Sequence, residues 1–276
     1  MKNFVKCSIC LIFIFSIALK PSFAEALDIN NPKQIESFLV ELYSKPETIE
    51  QVVASFRVSA DKEVIVKEHL KSLLVNPKLI KVMSREFVNQ GVLDNAKSKN
   101  SASAAGRAFG YQFITQLTVD GIKRLPDERV LEYIDFVNRF FDLIEPRHCR
   151  ALMGAGAKQK DEIEASFAAI RNMSASELRA YFFLNREAVD AELNDWPVVI
   201  NLNDYEIKTG TAAFEKSFAK KLGTHPFSST ITTALTDPSN AQDKDFCIAG
   251  KFVMVTIYEL GGMAGNWFRR SFVLSL

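Results

Sequence analysis

After Ala24 the apolar residues of this chain recur every three or four positions, and prolines and glycines fall where such runs begin and stop. A period of 3.6 rather than 2 commits most of the chain to helices that each bury one face. "VIVKEHLKSLLV" repeats Val66, Leu70, Leu73 and Leu74. Pro77 ends that run and opens "PKLIKVMSREFVNQG", with Gly91 placed as the left-handed residue past a helix end. Ser44 and Glu47 have capping-box spacing, with Pro46 in the first turn where its missing N–H is not needed. Ser174 and Glu177 repeat that spacing. Pro126 starts a helix whose first turn carries Asp127 and Glu128, favourable against the helix dipole. Leu131, Ile134, Val137, Phe140, Phe141 and Ile144 line its apolar face. Pro146 then opens a short helix that carries His148 and Cys149.

Between these runs, Ala102, Gly106 and Gly110 lie four apart beside the bulky stripe Phe109, Phe113 and Leu117. Small residues on one ridge let a neighbouring backbone come close, which marks a central packed helix. The last third is less regular. Val198 to Ile200 is a short β-branched run between Pro197 and Asn201, and residues 223–245 are rich in Ser, Thr, Asp and Pro. A final helix is expected over roughly Asp245 to Leu260, ahead of a "GGMAGNW" break. The expected fold is all-α, a multi-helix bundle-like domain over residues 25–276. It allows at most a short minor β element near residues 197–208 and a weak seam near Pro146.

The first 24 residues have a different grammar. Lys2 and Lys6 precede an uncharged apolar run from Cys7 to Leu19, and Ser22-Phe23-Ala24 follows Lys20 and Pro21. These are the parts of a secretory signal peptide cleaved after about Ala24. The run is shorter than the roughly 20 residues a membrane span needs. The expected product is periplasmic or secreted, with no stable membrane span after cleavage. Loss of Lys2, Lys6 and Lys20 leaves 31 basic against 33 acidic residues. Such a balance lacks the basic face of a nucleic-acid partner. Lys216, Lys220 and Lys221 read as a solvated helix face.

"EPRHCRALMGAGA" raises the question of chemistry. Arg147 and Arg150 flank His148 and Cys149, and nearby positive charge favours a thiolate. Sequence neighbours on a helix, however, point about 100° apart, so His148 does not face Cys149. Cleavage also removes Cys7 and Cys10, leaving Cys149 and Cys247. Two cysteines in an exported chain point to a disulfide. His69, His148 and His225 show no metal-ligand spacing. The acidic run Asn201 to Glu206 lacks a calcium loop's central glycine, and position twelve is Ala212. No nucleotide or serine-nucleophile motif is present, and no cofactor is expected.

Elimination leaves three readings. The first is non-catalytic binding of another protein in the envelope or outside the cell, as an adaptor, accessory factor or immunity-type inhibitor. Residues 195–210 and 223–245 would be its recognition loops, with Trp196 and Tyr205 as aromatic anchors. Trp196 has the alternative role of plugging the core beside Pro197. The second reading is a carrier of an apolar ligand such as a lipid, since 18 of the 22 phenylalanines survive cleavage. The third is a cell-envelope glycan hydrolase acting through one glutamate, with Glu132, Glu145 and Glu259 as candidates.

Overall fold

A computed structural model describes residues 30–94, 99–154 and 159–276. The signal peptide expected over residues 1–24, with Cys7 and Cys10, lies outside the described residues. Thirteen helices account for most of what is described, and no strand occurs among the described residues. The fold is thus all-α as expected, and the short β element allowed near 197–208 does not form. Residues 197–203 belong to neither strand nor helix, and 204–208 already belong to a helix.

The chain sorts into two compact units. The first comprises residues 30–117 and 174–186. It holds α1 (Pro32–Tyr43), α2 (Pro46–Phe56), α3 (Ala60–Leu74), α4 (Pro77–Asn89), most of α5 (Lys99–Arg124) and the start of α9 (Ala175–Leu193). Helix α1 packs on α4. Leu39, Phe56, Val66, Leu70 and Leu79 are buried in its core. Asn31 and Asn76 cap α1 and α4, accepting N–H groups of Lys33 (3.1 Å) and Lys78 (3.0 Å). Ser44 does not form the box with Glu47: its hydroxyl donates back to the Val40 carbonyl at 2.7 Å, at the end of α1. Ser174 and Glu177 do form theirs, with the Ser174 N–H donating to Glu177 at 2.8 Å. Gly91 has φ +56°, which glycine adopts without steric strain. Gly106 and Gly110 are buried on α5, and Phe109 meets Phe87 of α4 edge-on at 5.3 Å.

A histidine is buried in the same unit. His69 is 1% exposed and neither ring nitrogen has a hydrogen-bond partner. Its ring stacks flat on Phe182, centroids 4.0 Å apart. Burial, reinforced by the Arg186 charge, holds this imidazole well below its ordinary range. The folded state thus keeps His69 neutral, whereas the unfolded chain takes up a proton below about pH 6.5. The unfolded state binds more protons there, so stability falls as pH drops through and below 6.5, by up to about 1.4 kcal/mol per unit. Urea unfolding at pH 7.5 and 5.5 should show this loss in the wild type. A His69→Leu variant should lose about 1 kcal/mol less over the same interval. Equal losses in the two proteins would refute the assignment.

The second unit comprises residues 118–173 and 187–276. It holds the end of α5, α6 (Asp127–Leu143), α7 (Pro146–Leu152), α8 (Gln159–Asn172), the end of α9, α10 (Asp204–Thr224), α11 (Ser228–Thr236), α12 (Asp243–Tyr258) and α13 (Gly262–Leu274). Helix α12 is its centre, packed on α6, α7 and α11, while α10 pairs with α13. Close approach explains two glycines. A Cβ at Gly121 would overlap the Ala188 carbonyl, and one at Gly250 would strike the Phe141 ring. Phe214 of α10 stacks on Phe268 of α13 at 4.3 Å.

Two adjacent arginines are buried on α13. Arg270, 1% exposed, donates to Asp127 at the start of α6 and to the Lys123 carbonyl (3.1 Å). Arg269, 5% exposed, donates to the carbonyls of Leu260 (2.7 Å) and Ile257 (3.2 Å). It thereby satisfies acceptors that the end of α12 leaves open, where a positive charge is favourable.

Candidate functional site

The "RHCR" question is settled by packing. Cys149 and Cys247 form a disulfide with Cα atoms 5.0 Å apart, tying α7 to α12. The thiol is consumed. Arg150 is engaged by other groups. Its guanidinium lies 4.3 Å over the Phe246 ring and donates to Asp243 (2.8 Å) and to the carbonyl of Ala241 (2.5 Å). It fixes the chain entering α12. Arg147 sits at the surface and pairs with Glu145 at 3.0 Å. His148 is buried, and burial with the Arg147 charge lowers its pKa.

The candidate glutamates sit at or near the surface in ion pairs. Glu132 pairs with Arg129 (2.6 Å), Glu145 with Arg147 and Glu259 with Lys221 (2.5 Å). A glycan-cleaving acid instead occupies an apolar pocket that favours its protonated form. Among the described residues, no group of three or more His, Cys, Asp or Glu is placed to hold a metal ion. No described helix is long and apolar enough to cross a membrane.

What stands out is the segment from Trp196 to Ile207. Of the twelve exposed large apolar residues among those described, five fall here: Trp196, Val198, Ile200, Tyr205 and Ile207. Scattered exposed apolar residues need no explanation, whereas these five fall within twelve consecutive positions. Local structure holds this one out. Helix α9 ends at Leu193, and Asp195 enters the left-handed region at φ +51°, a conformation Asp tolerates. The N–H of Trp196 then returns to the Ala191 carbonyl (3.0 Å) and that of Asp195 to Glu192 (3.1 Å). This is a Schellman closure. Arg124 clamps the exit, donating to Glu192 (2.6 Å), Asp195 (2.8 Å) and the Pro197 carbonyl (3.4 Å). At the far end, Asn203 and Glu206 form a reciprocal capping box that starts α10, with bonds of 3.0 and 2.8 Å.

Between the two caps the chain has no regular secondary structure and is largely exposed. Trp196, Val198 and Ile200 are 69, 68 and 50% exposed, while Val199 and Leu202 are half-buried. Trp196 does not plug the core. Tyr205, 70% exposed, meets Trp267 of α13 edge-on at 6.0 Å, and Met263, one turn before Trp267, is 68% exposed. The acidic run "NLNDYE", which resembles the start of a calcium loop, is a helix start. Sequence reading missed the start of that helix although Asn203 and Glu206 carry the capping-box spacing.

Fold and site together define an all-α chain with a disulfide-locked helical unit that displays a fixed aromatic surface. No protein-family model matches this chain, and neither a curated protein nor a solved structure matches it.

Proposed function

We propose that this is an exported, non-catalytic protein that binds another protein through the surface around Trp196 and Tyr205. The observation that carries the reading is the exposure of these two rings, 69 and 70%, one at each end of a segment held by helix caps. Exposed aromatics on a rigid support lose little conformational freedom on binding, which makes them effective anchors. The disulfide supports an oxidising compartment, and the N-terminal pattern of residues 1–24 supports export.

The test is capture of partners from envelope extract by the full chain. Trp196→Ala and Tyr205→Ala should each weaken the specific complex by about 2 kcal/mol, roughly 30-fold, as hot-spot residues do. Val64→Ser, at an exposed position on α3, is the control and should bind like wild type. Equal retention of partner by all three variants would sink the reading.

A further inference from the structure

Resting on that reading, we propose that Met263 belongs to the binding surface and that oxidation of its thioether to the sulfoxide weakens partner binding. Burial makes the position selective. After Met1 the sequence has five methionines. Met83, Met153, Met173 and Met254 are each 7% exposed or less, whereas Met263 is 68% exposed. The approach to it is open as well. Gly261 and Gly262 carry no side chain, and a Cβ at either would meet no atom within 4 Å beyond its chain neighbours. Oxidation needs an accessible sulfur, so a mild oxidant reaches this methionine first.

Placement ties this sulfur to the anchors. Met263 lies in the first turn of α13, and Trp267 follows four residues later, so the two side chains are neighbours on the helix surface. The Trp267 ring in turn meets Tyr205 edge-on at 6.0 Å. The backbone beneath is closely packed. A Cβ at Gly210 of α10 would come within 2.8 Å of the Phe268 nitrogen of α13, and Phe214 stacks on Phe268 at 4.3 Å. Oxidation of an exposed residue on this support changes the surface and leaves the helix pair in place.

The chemistry needs only a peroxide, and an exported chain meets such oxidants away from the cytosol's reducing systems. With hydrogen peroxide, a sulfur lone pair attacks one oxygen. The S–O bond forms, the O–O bond breaks, and the other oxygen leaves as water after proton transfer. Sulfur loses two electrons and the peroxide gains them. The thioether is apolar and adapts its shape to aromatic neighbours. The sulfoxide oxygen is a polar acceptor that a dry interface leaves unpaired, which weakens binding by about tenfold or more.

The experiment treats the full chain with dilute hydrogen peroxide and follows three readouts. Peptide mapping should find the first added oxygen on Met263, before Met83, Met153, Met173 or Met254 reacts. Trp196→Phe leaves Trp267 as the sole tryptophan, and its emission should change as Met263 is oxidised. The same treatment of Trp196→Phe with Met263→Leu should leave the emission unchanged. In capture from envelope extract, the oxidised chain should retain partner about tenfold more weakly or worse, and methionine sulfoxide reductases acting on both epimers should restore it. Met263→Leu should hold whatever capture it starts with through the same treatment. Oxygen that appears first on another methionine, an emission indifferent to oxidation, or capture equal before and after treatment overturns the proposal. Failure of the anchor reading looks different: Trp196→Ala and Tyr205→Ala then bind like wild type, or no partner is captured before any oxidant is added, and the switch falls with it.

Discussion

Replacing Cys149 and Cys247 together by alanine is expected to lower the unfolding free energy by about 2–5 kcal/mol. The bridge spans 98 positions, and in the chain-entropy description a loop of that length restricts the unfolded chain by up to about 4.7 kcal/mol. Cys149 is fully buried, so alanine is preferred to serine, whose hydroxyl would need a partner there. Urea unfolding of the oxidised wild type, the reduced wild type and the double variant provides the measurement. The latter two should coincide within about 1 kcal/mol, since both lack the cross-link. A double variant as stable as the oxidised protein would mean that the cross-link constrains little.

The second large effect concerns Asp127 and Arg270. Asp127→Ala leaves a buried guanidinium with only the Lys123 carbonyl to receive it. Stranding a charge in this way costs about 3 kcal/mol or more. Arg270→Met removes the charge and keeps much of the volume. It leaves behind a carboxylate that is 42% exposed and can be hydrated. The expected loss there is about 1 kcal/mol. The combined variant should therefore be more stable than Asp127→Ala alone. Thermal and urea unfolding of the three variants decide it: additive losses would show that the pair does not act as a unit.

Much of the fold is legible in the sequence where periodicity is strong. The runs around Val66–Leu74, Pro77–Asn89 and Leu131–Ile144 bury the residues their spacing selects, except Leu131, which is half-buried while Val130 takes the buried place. Three elements were hidden, each for a physical reason. Helix α10 starts right after the β-branched run Val198–Ile200, whose strand character masks the Asn203–Glu206 box. Helix α11 is built from "SSTITTALT", residues that individually favour turns and caps, and tertiary packing overrides that preference: Ile231 and Ala234 are buried. Helix α13 begins at Gly262 in a glycine-rich stretch read as a break, and its stability comes from side chains that reach other helices. Arg269 and Arg270 look like a surface pair in sequence because their partners, Leu260 and Asp127, are brought to them only by folding.

The candidate surface was legible in part. Trp196 and Tyr205 stand out by residue type, but which side chains of the connecting stretch face water depends on where the neighbouring helices end. Arg124 decides that, and it lies 71 positions before Asp195. The Cys149–Cys247 pairing needed only counting and the export assumption.

One consequence follows from where the bridge closes. The exposed stretch from Trp196 to Asn203 lies inside the covalent loop bounded by Cys149 and Cys247. A protease that nicks the chain there leaves its two pieces as one molecule until a reductant is added. The larger unit, assembled from residues on both sides of that stretch, keeps its parts at high effective concentration after the cut. Damage at that exposed stretch need not become dissociation.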